Sequence, residues 1–128
     1  MTSLHGAIRS LLYDDTSVRS IVDSRIYPLK MPYEATLPAL TIHKISGPRD
    51  HTTGHGTPRY QVSCWAESFA LVQTLSEAVI DCLVRYKGVA SGNHIKQIVY
   101  ENSLDAIEDE TGLFHVPLDF KIIHTHGD

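Results

Sequence analysis

The fold is decided near the C-terminus by the stretch Phe114-His115-Val116-Pro117-Leu118-Asp119-Phe120-Lys121-Ile122. Aromatic and aliphatic side chains occupy every second position of this stretch, the period of a strand with one face in the core. Pro117 lacks a backbone N–H donor, so we expect this strand to lie at the edge of a sheet, or Pro117 to face away from a partner strand. The pattern therefore predicts a long, amphipathic β-strand.

A pattern of helical period precedes this strand. Residues 67–86 carry apolar side chains at every third or fourth position, and Ser68 is placed to begin the helix. The apolar stripe consists of Val72, Leu75, Val79, Cys82, Leu83 and Tyr86. At about 1.5 Å per residue such a helix spans about 30 Å, the width of a small domain. We therefore expect it to lie across a sheet and to end near Gly88.

Two more strands are predicted around a long loop. Residues 40–46 are rich in β-branched side chains, and residues 60–66 alternate between apolar and polar ones up to Trp65. Residues 47–58 hold five glycine or proline residues and no apolar side chain, which predicts a projecting hairpin loop. If an N-terminal helix covers Trp65, this side chain belongs to the core, the interpretation we favour; otherwise it is an interface anchor.

The order of the predicted elements is typical of an α+β fold. Two short helices, at residues 4–12 and 17–22, begin the chain, and a further strand at residues 94–100 precedes the last one. This order favours a mainly antiparallel sheet of about four strands, with one long helix packed across it and helices on one face. The length of 128 residues predicts a single domain covering residues 1–128.

Composition and charge exclude several classes of protein. No run approaches the roughly 20 apolar residues of a spanning helix, so we expect no membrane partner. The N-terminus lacks the basic and apolar regions of a signal peptide. The formal charge of −4 does not mark a general nucleic-acid binder. Two cysteines cannot form the disulfide framework of a small secreted domain, which favours a reducing cytoplasm.

The histidines are the residues most suggestive of chemistry, because the chain holds eight of them. His51 and His55 lie close together in the long loop, and His124 and His126 alternate at the end of the last strand. Zinc needs three or four ligands, and neither pair has a cysteine or carboxylate at a recognised spacing. We therefore expect no metal and no cofactor, with a small metal-dependent enzyme using the histidines as an alternative.

Other routes to catalysis have no sequence support. The chain contains no nucleophile elbow, no Ser-x-x-Lys motif and no phosphate-binding loop. Cys64 and Cys82 fall on predicted core faces, which is typical of inert buried thiols. We therefore expect a protein that is not an enzyme.

Several short motifs within residues 4–86 occur in a characteristic order. They are Arg25-Ile26-Tyr27-Pro28, Leu37-Pro38-Ala39-Leu40-Thr41-Ile42 and Arg59-Tyr60-Gln61-Val62-Ser63-Cys64-Trp65-Ala66. With the helices around them, they resemble the tail-completion or tail-terminator proteins of long-tailed, siphovirus-like phages and prophages. Asp23-Ser24 departs from that family's usual turn before the first motif, and the loop is unusually rich in histidine.

The resemblance implies that the chain has a structural role in a virion. Members of this family are similar in role to a ring, typically a hexamer, that caps the finished tail tube and presents a surface to the head-completion or stopper proteins. It implies three partners, namely further copies of the chain, the tail tube protein and a head-completion protein. DNA would only pass through the channel, without sequence-specific binding. The location implied is the tail or neck of the virion, after assembly in the bacterial host cytoplasm. Another neck protein, a head-closure component, is the alternative.

On this interpretation the long loop contacts a neighbouring subunit or the tube. The predicted partner-binding residues are Arg49, Asp50, His51, Thr52, His55 and Arg59. We expect the acidic balance of the chain to suit a channel, because like charges keep moving DNA from adhering to the wall.

Overall fold

The computed structural model describes residues 4–28, 30–32, 35–46, 55–56, 58–90, 93–103, 106–107 and 113–126. The helices in these ranges are α1 (Leu4–Asp14), α2 (Thr16–Val22) and α3 (Phe69–Val84). The strands are β1 (Ile26–Pro28), β2 (Ala39–Ser46), β3 (His55–Gly56), β4 (Arg59–Ala66), β5 (Gly88–Ala90), β6 (Asn93–Ser103), β7 (Ala106–Ile107) and β8 (Phe114–His126). None of these helices is long and apolar enough to cross a membrane.

The strands form one mixed sheet in the order β1-β2-β4-β8-β6-β5, and the two-residue strands β3 and β7 also pair with β8. β1 runs parallel to β2, whereas the other described pairs are antiparallel. The α+β class is confirmed. The expectation of about four strands is wrong, because β1 and β5 extend the sheet at both edges. Three residues are too few to show a strand period in a sequence.

β8 lies in the middle of the sheet, so the edge strand, the first of the two alternatives predicted from Pro117, is wrong. It pairs with β4 on one side and with β6 and β7 on the other. The pairing with β6 ends at Leu118, and the pairing with β7 resumes at His115. Pro117 lies in this interruption on one side of β8 and is in register with Ser63 of β4 on the other. Its missing N–H donor therefore breaks no described pairing with β6 or β7.

The helices pack on one face of the sheet and form the core there with the sheet's inward side chains. The predicted stripe is buried at Val72, Leu75, Val79 and Leu83, against the predicted sheet residues Val62, Cys64, Val116, Leu118 and Phe120. Helices α1 and α2 add Ala7, Ile8, Leu12, Val18 and Val22 to the same core. The helical layer is therefore shared by three helices rather than made by one long helix. Each large side chain buried here stabilises the fold by roughly 1.5–3 kcal/mol.

The ends of α3 follow from local chemistry. The Ser68 hydroxyl accepts a hydrogen bond from the Leu71 backbone N–H at 3.1 Å, which caps the N-terminus. The helix ends at Val84, earlier than predicted, and Gly88 instead begins β5 with a φ of +144°. This backbone conformation favours glycine, so Gly88 sets the change of direction from helix to strand.

Arg25, from the Arg-Ile-Tyr-Pro motif, joins α2 to the first two strands. Its Nε donates to the Pro38 carbonyl at 2.8 Å, and its Nη2 donates to the Ile21 carbonyl at 3.2 Å. Its own carbonyl accepts from the Leu40 N–H at 3.0 Å. The bonds with Pro38 and Leu40 hold the start of β1 beside β2, and the bond to Ile21 attaches α2. The two side-chain bonds account for an arginine before the strand.

The predicted hairpin of β2 and β4 is confirmed by their antiparallel register. Residues 47–54 of its loop lie outside the described residues. The end of the loop lies along β8, where His55 is opposite Thr125 and the Pro58 carbonyl accepts from the Ile122 N–H at 3.0 Å. This part of the loop is therefore attached to the sheet by backbone hydrogen bonds.

Candidate assembly surface

The residues predicted to bind partners fall into two groups. Arg49, Asp50, His51 and Thr52 lie outside the described residues, and their role stays a prediction. The backbone of His55 is in β3 beside β8. Arg59 begins β4, and its half-exposed side chain lies 3.1 Å from Glu101, measured from Nη2 to Oε1.

The Arg59–Glu101 ion pair crosses the central strand of the sheet. Arg59 is opposite Lys121 of β8, which separates β4 from β6, where Glu101 lies. An ion pair at a solvated surface contributes about 0–1 kcal/mol to stability. Its main effect is to hold the guanidinium above the sheet, close to the end of the long loop.

The sheet face opposite the three helices carries a polar and aromatic set of side chains. We call it the open face, and it consists of Thr41, His43, Gln61, Ser63, Trp65, His115, Pro117, Asp119 and Lys121. Its side chains contact one another across strands, as in the hydrogen bond from Gln61 Nε2 to Asp119 Oδ1 at 3.0 Å. Thr41 and Ser63 are only 2% exposed, so the side chains on this face form a packed layer.

Trp65 is the largest side chain of the open face. Its ring stacks on His115 with centroids 3.8 Å apart and planes 6° apart. Its indole N–H donates to Thr41 Oγ1 at 3.1 Å. The core interpretation of Trp65 is wrong, because α1 packs on the other face and the half-buried indole is not part of the core.

Two imidazole nitrogens on the open face are enclosed but have no hydrogen-bond partner among the described residues. They are His43 Nδ1 and His115 Nε2. Burial lowers the pKa of His115, and the nearby His43 lowers it further. The His115 imidazole is therefore held in its neutral form, in which one ring nitrogen is a donor and the other an acceptor.

Sequence reasoning missed His43, His115 and Asp119 as members of the open face, and Glu101 as the partner of Arg59. The alternation in 114–122 predicts a solvent-facing side for the polar positions, and they form a layer only because β4 and β8 are in register. The available signal was that Trp65 and the histidine at position 115 both occupy the polar side of predicted strands.

The two cysteines and His124 lie on the helix-covered side of the sheet, away from the open face. Cys64 is fully buried, and burial raises its pKa to about 12. Cys82 is partly buried and packs against the core from the predicted face of α3. His124 is buried on the core face of β8. Within the described ranges no group of three or more histidine, cysteine or acidic side chains could hold a metal ion.

Comparison with known proteins identifies the family. The family model of the tail completion protein gp17 matches residues 6–125. The chain belongs to this family. It is therefore a structural protein of a phage-type tail, as the resemblance in residues 4–86 implied, and the family match extends that relationship through β8.

The fold recurs in a solved particle structure. The chain is similar to a chain in a structure of the virion of a native gene transfer agent particle, with a TM-score of 0.82 and 16% sequence identity. The match covers 96% of this chain and 95% of that chain, so the whole fold is shared. No curated protein sequence matches significantly.

Proposed function

We propose that this chain caps the completed tail tube as an oligomeric ring and provides the attachment surface for the head-completion proteins. The observation that carries the proposal is the tail completion family match, which spans residues 6–125 of the chain. The similar chain in a gene transfer agent virion adds support, since that protein too is part of a particle.

The ring is proposed to be a hexamer in the tail or neck of the virion, assembled in the host cytoplasm. DNA passes through its centre without specific contacts. The formal charge of −4 supports this role, because an acidic wall repels the phosphate backbone rather than retaining it.

The open face and the long loop are the proposed contact surfaces. Tryptophan is enriched in the energetic centres of protein interfaces, and Trp65 is held in place by His115 and Thr41. The loop residues Arg49, Asp50, His51, Thr52 and His55, with Arg59, extend the proposed surface at the end of β4.

Gene disruption tests the proposed function. The gene is disrupted in the genome that encodes the particle, and the lysate is imaged by negative-stain electron microscopy with a plasmid-complemented control. Filled heads beside free tails or overlong tubes support a tail-capping ring. Normal infectious particles overturn it. Normal tails beside heads that lose their DNA overturn the capping role and assign the chain to head closure.

A further inference from the structure

A groove lies at the β5 edge of the molecule, among the C-terminal ends of α1 and α3. It has a volume of about 510 Å³ and is lined by Ser10, Leu11, Asp14, Asp15, Cys82, Tyr86 and Val89. We call it the acidic groove, because its lining within the described ranges includes two carboxylates and no basic side chain. A smaller cavity of about 190 Å³ shares Asp15 and Cys82 with it and adds Asp81 and Arg85.

The groove combines this acidic rim with an apolar wall. Val89, whose side chain is 65% exposed, supplies an aliphatic part of that wall. The Tyr86 hydroxyl donates to the Val89 carbonyl at 2.9 Å and fixes β5 beside α3. Burial, and then Asp15, raise the pKa of Cys82 to about 12. The thiol is therefore neutral, and the carboxylates carry the negative charge.

A complementary surface lies at the end of β2. Ile45 is 46% exposed, and the neighbouring Lys44 is exposed as well. β1 pairs with β2 only from Leu40 to Ile42. Beyond Ile42, β2 is therefore the edge of the sheet among the described residues. We call Lys44–Ile45 the β2 tip. It presents a basic side chain next to an aliphatic one, which complements the acidic rim and the apolar wall of the groove.

The two surfaces lie at opposite edges of the sheet. The strand order runs from β1 and β2 at one edge to β5 at the other. A two-fold interface needs one self-complementary patch, whereas two different patches on opposite sides join copies head to tail. Head-to-tail contacts generate a ring when the rotation between copies closes.

We propose that the acidic groove binds the β2 tip of a second copy of this chain. Ile45 packs against Val89 and Tyr86, and the Lys44 ammonium lies near the Asp14 carboxylate of the neighbour. Each subunit then inserts its β2 tip into the acidic groove of one neighbour and binds the β2 tip of the other neighbour in its own groove. The inference rests on the proposed ring and specifies which surfaces form its subunit interface.

Disulfide trapping in assembled particles tests this contact. The gene carries Ile45→Cys and Val89→Cys together in a Cys82→Ser background, and particles are treated with a mild thiol oxidant. Because a disulfide needs Cβ atoms about 3.8 Å apart, we expect covalent multimers on a non-reducing gel, and monomers from each single-cysteine variant. Multimers from Ile45→Cys alone would indicate a two-fold contact and overturn the proposal.

A charge exchange provides an independent test. Asp14→Lys and Lys44→Asp should each lower the yield of complete particles by roughly ten-fold or more, the effect of about 1.4 kcal/mol at one interface. The double exchange should restore most of the yield. The matched controls Glu77→Lys on α3 and Lys96→Asp on β6 change charges that are also exposed and should have no effect.

The outcomes separate this inference from the proposed function. Particles that contain a ring, but neither cross-link nor respond to the charge exchange, overturn the groove contact and leave the ring intact. Particles that contain no ring of this chain overturn both. Circular dichroism of the soluble Asp14→Lys variant should show that it is folded. A lower yield of particles then reflects a defect in assembly.

Discussion

Trp65 and His115 face each other across β4 and β8, and their rings stack with centroids 3.8 Å apart. This contact occurs on the sheet face opposite the helices, where a strand would ordinarily present isolated polar side chains to water. The stack and the bond from Trp65 to Thr41 order that face before any partner binds. The stack with Trp65 also holds the His115 imidazole in a position where burial lowers its pKa.

The lowered pKa of His115 predicts a loss of stability in mild acid. The unfolded chain has an ordinary histidine pKa of about 6.5. Between the lower folded pKa and about 6.5 the unfolded state binds more protons, so the free energy of unfolding falls as the pH falls through that window. Urea unfolding from about pH 8 to pH 5 should show a smaller loss in His115→Gln than in the wild type. The exposed His94→Gln is the control, and identical pH profiles for all three proteins would contradict the prediction.

Val79→Asp should prevent folding. Val79 is completely buried in α3 against the sheet. The change removes roughly 1.5–3 kcal/mol of apolar burial and adds a buried carboxylate with a penalty of several kcal/mol. Single domains have only about 5–15 kcal/mol of stability. Soluble yield and circular dichroism measure the effect, and Val84→Asp on the same helix, at a 41% exposed position, should fold. A folded Val79→Asp protein would contradict the assignment of the core stripe.

Periodic patterns in the sequence predict the long helix and the long strand. The position of each strand in the sheet, and the neighbours of its side chains, depend on the register between strands. The alternation in 114–122 and the stripe from Val72 to Leu83 identified β8 and α3, because each repeats its period several times. The place of β8 in the sheet was not predictable, since Pro117 suits an edge as well as an interruption between two partner strands. The surroundings of Trp65 depended on which face the helices cover, which is a long-range property. Glu101 lies just beyond the predicted strand of residues 94–100, because a register shift between Tyr100 and Asn102 alters the alternation where β6 continues.

Ser68→Ala should destabilise the protein by about 1 kcal/mol, because the Leu71 N–H loses its capping acceptor. The measurement is the urea midpoint at constant m-value. Thr74→Ala in the same helix is the control, since Thr74 is exposed and bonds only the Ala70 carbonyl within the helix. Equal midpoints for Ser68→Ala and the wild type would show that the cap contributes nothing measurable.

The Arg59–Glu101 ion pair should contribute only a small coupling term to the free energy of unfolding. A double-mutant cycle of Arg59→Ala and Glu101→Ala should give a coupling free energy below about 1 kcal/mol that decreases in high salt, because the pair is solvent-exposed. If Arg59 also contacts a partner, Arg59→Ala should reduce particle assembly more than Glu101→Ala does. Equal assembly for the two single variants would leave Arg59 with its intramolecular role only.

Shortening the long loop should separate folding from assembly. Because His55 and Gly56 pair with β8 and Pro58 accepts a bond from Ile122, the replacement must be confined to residues 48–54. Gly-Gly in place of these residues should leave the urea midpoint nearly unchanged, since closing a shorter flexible loop changes the entropy only slowly with length. The same variant should fail to give complete particles in a complementation assay, because it lacks Arg49, Asp50, His51 and Thr52. A seven-residue Gly-Ser replacement keeps the length and removes the side chains, so failure of both variants assigns the effect to those side chains. Normal particle yield from the Gly-Gly variant would refute the role of the loop in partner binding.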